Sequence, residues 1–237
     1  IAFAQNRNIR NAKKFFGLLF LSVLAKNKSK IAIIASITEM AILIIIIFSI
    51  FNKKDDDFYN DIKFEKGKVY LFFRETNSKV GEIAKSYNIN KTNFSHVGIG
   101  SIIDNKIMIV HILPNEEFRS KDSQLHFETI KQFYHPKKDS VKSAEILRFR
   151  NITPEQFKNF EKLILELKSK KITFDKNFTT KRDSSYYCSE LVEYILETID
   201  ENFRILPIKK KLVKFDQFYL QRDSIEYYPV DIFMNNK

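Results

Sequence analysis

The stretch FSHVGIGSIIDNKIMIVHIL, Phe94–Leu113, decides how this chain folds. It is a run of β-branched and apolar residues interrupted at Asp104-Asn105, two residue types that tolerate the positive φ of a two-residue hairpin turn. If these two form the turn, Ile103 pairs with Lys106, and the numbers of facing residues add up to 209 throughout the hairpin. His111 then faces Gly98, and His96, two residues along the first strand, lies on the same side. The two imidazoles become diagonal neighbours with β-carbons roughly 7 Å apart and only a glycine hydrogen between them. A three-residue loop would instead put them on opposite faces.

Working outward, GKVYLFFRE (Gly67–Glu75) and SAEILRFR (Ser143–Arg150) read as further strands, rich in β-branched and aromatic residues. SKVGEIAKSYN between the first strand and the hairpin suits a short helix or loop, and SQLHFETIKQFY, up to Tyr134, a short helix stopped before Pro136. Thr153, Pro154 and Gln156 supply the N-cap, first-turn proline and capping-box glutamine of a longer helix. Its apolar face is Phe157, Phe160, Leu163, Ile164 and Leu167, and it ends in the basic KSKK that suits a helix C-terminus. A second helix begins at or just before Cys188 and aligns Leu191, Val192, Ile195, Leu196 and Ile199. Strands grouped around one hairpin, with helices packed on them, predict an α+β fold with an antiparallel sheet over residues 55–237. The tail from Leu206 carries no decisive pattern.

The formal charge of +11 invites a nucleic-acid partner until the charges are located. Residues 1–54 carry nine basic side chains against Glu39 alone, whereas the other 183 residues carry a net +3. The excess flanks the apolar run IAIIASITEMAILIIIIFSIF, Ile31–Phe51, which as a helix would span about one bilayer core. This pattern predicts a transmembrane anchor over 31–51 with the basic segment 1–30 cytoplasmic and the main domain extracytoplasmic, by the lysine and arginine asymmetry of the flanks. The poor cleavage site in FSIFNKK argues against a signal peptide, which stays the alternative. No nucleic-acid partner is expected.

Chemistry centres on the one cysteine of the chain, in SSYYCSELVEYIL (Ser184–Leu196). One cysteine forms no internal disulfide and no zinc ribbon. A thiol at a helix N-terminus feels unsatisfied N–H groups and the positive end of the dipole, which favour thiolate. The turn containing Ser185, Tyr186 and Tyr187 could offer amides as an oxyanion hole. His96 and His111 then become base and orienting partner, while His126 and His135 sit in polar surroundings and read as surface residues. The bland readings stand beside this one: a packed, inert thiol and structural histidines. A metal site built on His96 and His111 lacks a further ligand at suitable spacing, and no cofactor is called for.

Taken together, FSHVGIG, FDKNF (Phe174–Phe178) and YYCSELV resemble, in that order, the motifs of the permuted papain-like hydrolases of the YiiX/YebB type, relatives of the NlpC-type peptidases and of lecithin retinol acyltransferase. GKVYLFFRE resembles the strand that opens this fold, and the match runs over about residues 60–200. The resemblance implies a circularly permuted papain-like fold with Cys188 as nucleophile and His96 as base. It places the orienting residue on the next strand. YiiX-like proteins often have glutamate there, whereas this chain has His111, as the acyltransferase branch does, which leaves Glu116 and Asp175 as fallbacks. Gly98, Asp175, Tyr187, Ser189 and Glu190 would support the site or line its pocket. The implied activity is hydrolysis of an amide, in a cell-wall or other peptide, through an acyl-thioester. A lipid acyltransferase or lipase, and a binding module that has lost catalysis, are the alternatives.

Overall fold

The architecture was analysed in a computed structural model that describes residues 39–44, 58–114, 124–137, 139–182 and 184–235. The chain divides into two compact units, Ile1–Lys63 and Phe64–Lys237. In the first, residues 39–44 are helical. The anchor expected over 31–51 otherwise lies outside the described residues, and among those no helix is long and apolar enough to cross a membrane.

The second unit is built on a five-stranded sheet in the order β4-β3-β2-β1-β5, with every neighbouring pair antiparallel. Its strands are β1 (Tyr70–Thr76), β2 (His96–Ile103), β3 (Lys106–Ile112), β4 (Leu125–Thr129) and β5 (Val141–Arg148). The β2–β3 hairpin has the expected register, with Ile103 facing Lys106 and Ile99 facing Val110. Asp104 and Asn105 take φ of 50° and 60°, the left-handed pair of a two-residue turn whose twist matches the flanking strands. Gly100 permits the close approach of β3, since a β-carbon there would lie 2.3 Å from the Met108 carbonyl oxygen.

Strand alternation gives the sheet two different faces. Leu71, Phe73, Val97, Ile99, Val110 and Ile112 point to one side, into a core they share with α3 (Pro154–Ser169) and α4 (Cys188–Ile199). The start of α3 is fixed by the anticipated capping box, Thr153 with Gln156. The other face carries Phe72 and Arg74 on β1, His96 and Gly98 on β2, Ile109 and His111 on β3, and His126 and Glu128 on β4. It is covered by Phe133 of α2 (Ile130–Tyr134).

Two expectations need correction. SQLHFETIKQFY forms a strand followed by a single helical turn, because Leu125, Phe127 and Thr129 alternate and complete the edge of the sheet beside β3. The tail from Leu206 is ordered as β8 (Ile208–Lys211), α5 (Lys214–Leu220), β9 (Ser224–Tyr227) and a 3-10 turn at Val230–Asn235. The tail grips both sides of Cys188: the Ser189 hydroxyl donates to the Tyr228 carbonyl at 2.5 Å, and the Tyr228 N–H donates to the Tyr187 hydroxyl at 2.8 Å. The short elements α1 (Lys79–Ser86), β6 (Thr173–Phe174) and β7 (Ser185–Tyr186) complete the unit.

Candidate active site

His96 opens β2 and His111 lies one strand over, and their rings meet: His96 Nε2 and His111 Nδ1 are 2.9 Å apart. Gly98 makes this possible. A β-carbon there would stand 2.8 Å from Ile109 Cγ2 and 3.2 Å from both His111 Cβ and Phe133 Cε2. Phe133 stacks on His96 and meets His111 edge to face, closing both rings off from water.

The second nitrogen of His111, Nε2, is 3.0 Å from the carboxylate of Glu128 on β4. His126, facing His111 across the β3–β4 ladder, stacks on it with ring centroids 5.3 Å apart. It is thus half-buried against the site rather than a surface residue. His135, at the end of α2, is exposed as expected.

Burial disfavours charge on both central rings, and the positive charge of Arg74 adds to this. His96 is held well below the usual histidine value and His111 falls to about 4. Burial pushes the Glu128 carboxyl up, but its hydrogen bond to His111 and the neighbouring positive groups outweigh that and hold it below its ordinary value. The protons of the chain follow from these states, since a neutral imidazole carries one N–H and one lone pair. An ionised Glu128 can only accept, so His111 Nε2 donates to it. His111 Nδ1 is then an acceptor and His96 Nε2 must donate. That leaves the lone pair of the system on His96 Nδ1, to which no described group is hydrogen-bonded. The network therefore leaves His96 neutral with one ring nitrogen outside it.

Cys188 is the first residue of α4, and its N-cap, Tyr187, makes no side-chain capping bond. The regular β2–β3 register begins only at Ile99 and Val110, and the backbone N–H of Val97, the residue after His96, favours negative charge on the sulfur. The Ser189 N–H acts in the same sense. The helix that Cys188 opens packs against β2, and among the described residues no hydrogen bond joins the thiol to the His96 imidazole. Cys188 keeps some exposure, yet burial pushes the thiol above its usual value and these N–H groups only partly oppose it. The expectation that the helix terminus would favour thiolate is corrected: desolvation exceeds the dipole effect at this position.

Arg74 faces His96 across β1 and β2 and is 3% exposed. Its guanidinium lies over the Phe133 ring, 4.4 Å from the centroid, and donates through Nη1 to the Phe133 carbonyl, whereas Nε has no hydrogen-bond partner among the described residues. Burial lowers its pKa, and the nearby Glu128 is the foremost charge opposing this.

Of the two fallback orienting residues, only Asp175 lies among the described residues. Glu116 lies outside the described residues. Asp175 accepts from the N–H groups of Asn177 and Thr179 and from the Thr179 hydroxyl, closing the loop beyond β6. Glu190, in the first turn of α4, is fully buried with neither carboxylate oxygen hydrogen-bonded among the described residues. Burial and the Asp175 charge push its pKa up to about 8, so it is mostly protonated at neutral pH.

Glu128, Arg74 and Phe133 had no signal of their own in the sequence. The alternation LHFET could have placed Glu128 opposite Ile109 only once β4 was recognised as a strand.

Fold and cluster define a mixed α+β protein with an antiparallel sheet, a cysteine at a helix start and a histidine–histidine–glutamate chain on the facing strands. No family model matches the chain, and no curated protein matches it in sequence. Its fold is similar to that of the metalloprotein yiiX (DUF1105) from Escherichia coli O157:H7, known from a crystal structure. The TM-score is 0.51 at 13% identity, over 71% of this chain and 93% of that one. The fold is therefore YiiX-like.

Proposed function

We propose that this chain is a thiol hydrolase that cleaves an amide bond, in a cell-wall or other peptide, through an acyl-thioester on Cys188. The observation that carries this reading is the hydrogen-bonded chain Glu128–His111–His96, which leaves a lone pair on His96 Nδ1, while the helix opened by Cys188 packs against the strand of His96. As Cys188 Sγ attacks the carbonyl carbon, its proton passes to His96 Nδ1. His111 and Glu128 stabilise the imidazolium that forms, and amides at the start of α4 face the developing oxyanion. Collapse of the tetrahedral intermediate breaks the C–N bond, and His96 returns the proton to the leaving amine. Water then attacks the thioester, gives a proton to His96, and restores the thiol as the acid departs.

The similar fold belongs to a protein described as a metalloprotein. Here three of the four nitrogens of His96 and His111 are directed at each other and at Glu128, and no group of three or more potential ligands among the described residues is arranged to hold a metal. The residues present do not fit a metal, so the proposed steps pass through none.

A second reading, a lipid acyltransferase or lipase using the same residues, is favoured by the exposed aromatic face of α5. The anchor over 31–51, with the catalytic unit outside the cytoplasm, belongs to the proposal on the strength of the charge asymmetry. Turnover by the full-length protein should be compared on muropeptide amides and phospholipid esters, with Cys188→Ala and His96→Ala as controls. Turnover of either class that survives Cys188→Ala would sink the thiol mechanism, and ester turnover alone would select the second reading.

A further inference from the structure

A helix on the surface of a folded domain normally turns its apolar side inward. In α5, KFDQFYL, the arrangement is inverted and no residue is buried. Phe215, Phe218 and Tyr219 share one side by their spacing and are 74%, 78% and 63% exposed. The polar residues hold the helix down: Asp216 accepts from the Tyr87 hydroxyl at 2.6 Å, and Gln217 donates to the Leu212 carbonyl at 2.8 Å. Leu220 packs against the core, and Gln221 closes the helix in the left-handed region. Val213, the N-cap of the helix, is exposed as well.

The surroundings of this patch are basic. Lys209, Lys211 and Lys214 are exposed. Of the acidic residues in and beside α5, Asp216 is committed to Tyr87, and Glu226 faces Lys209 across the β8–β9 ladder, while Asp223 stays exposed. A second copy of the chain laid on this surface would bring lysines against lysines, whereas anionic headgroups complement them. Aromatic rings rimmed by lysine are also the composition that settles at the boundary between headgroups and acyl chains.

We propose that α5 is a membrane-docking surface. Phe215, Phe218 and Tyr219 enter the headgroup boundary of a bilayer containing anionic lipid, and Lys209, Lys211 and Lys214 engage the lipid headgroups. This does not depend on turnover at Cys188, although docking would act close to the site. Arg222, just beyond α5, donates to the carbonyls of Asn177 and Phe178, and the Phe178 ring packs on that of Tyr187, the residue before Cys188.

The chain has no tryptophan, so Phe218→Trp in the full-length protein gives a single tryptophan, excited selectively over the ten tyrosines at the red edge of absorption, at the centre of the patch. On vesicles of phosphatidylcholine mixed with phosphatidylserine, its emission should shift to the blue and be quenched by brominated acyl chains. Charge reversal of Lys209, Lys211 and Lys214 to glutamate should weaken this docking by at least about a hundredfold, from about fivefold for each lysine lost. Emission that stays water-like on those vesicles would overturn the proposal, as would equal quenching on phosphatidylcholine alone. A blue shift that grows with protein concentration without vesicles would overturn it too, by identifying a second copy as the occupant.

Discussion

Acidification should unlock the site before it affects the rest of the domain. His111 is fully buried and its pKa falls from 6.5 to about 4, whereas in the unfolded chain it keeps its ordinary value. Between those two values the unfolded state binds the proton that the folded state refuses, so stability is lost as pH falls from about 6.5 toward 4 and is fully present above 6.5. Two and a half pH units correspond to about 3–4 kcal/mol at roughly 1.4 kcal/mol per unit, of which about 3 kcal/mol is lost by pH 4, where the folded-state group is half titrated. The groups facing His111 do not reverse the sign. Arg74 and His126 oppose its protonation, and the favourable contribution of Glu128 is smaller than that of desolvation. The assay is urea unfolding of the full-length protein and of His111→Gln at pH 7, 5.5 and 4. With a slope of about 2 kcal/mol per molar, the wild-type midpoint should fall by roughly 1.5 M relative to the variant over that range. A difference between the two proteins that does not change with pH would show that His111 titrates normally, and would refute the neutral chain of protons from which the role of His96 was deduced.

Three further outcomes follow from the same geometry. Gly98→Ala places a methyl 2.8 Å from Ile109 Cγ2 and 3.2 Å from His111 Cβ and from Phe133 Cε2. It should cost about 1–3 kcal/mol and broaden or abolish the protected imidazole N–H resonances in proton NMR, and an unchanged melting temperature with unchanged resonances would contradict the packing. Glu190 must stay protonated up to about pH 8 in the fold, so its contribution to stability should decline from about pH 4.5 upward. Glu190→Gln should remove that decline and stabilise the protein at pH 8; equal pH dependence in both would show that the carboxyl is solvated or paired. Iodoacetamide labelling of Cys188 should be slow at pH 7, accelerate only above the ordinary thiol range, and change little in His96→Ala, whereas rapid labelling below pH 8 that is lost in the variant would establish a preformed thiolate–imidazolium pair.

The hairpin was legible because its register depends on local chemistry alone: Asp104 and Asn105 accept positive φ, and once they form the turn, alternation places His96, Gly98 and His111 together. The two long helices were legible for a similar reason, since their caps and apolar spacing lie within one segment. Glu128 was not. Its strand follows residues 115–123, and no local rule transmits register across such a connection, so the helical look of FETIKQFY obscured the alternation of LHFET. The acidity of Cys188 was misread for a different reason. Position at a helix start is visible in sequence, but the desolvation that outweighs it depends on what packs around the sulfur. Arg74 read as one polar residue in a strand, and its meaning emerged only from facing His96 beneath Phe133.

These placements distribute charge in a way that bears on how such a site could work. Arg74 is a fixed positive group among neutral imidazoles, and it opposes the charge that His96 must acquire when it takes the thiol proton. The thiol also begins protonated, so the pair has no stored charge separation at rest. Among the described residues, Glu128 brings the negative charge to the far end of the chain, where its bond through His111 can stabilise an imidazolium at His96. Electrostatically, Glu128 therefore counts for more than an orienting residue usually does: without it, two rings already held neutral by burial would face Arg74 unopposed. The glutamate is needed in ionised form, and the geometry provides for this, since Glu128 is half-buried and hydrogen-bonded while Glu190, fully buried and unpaired, holds its proton.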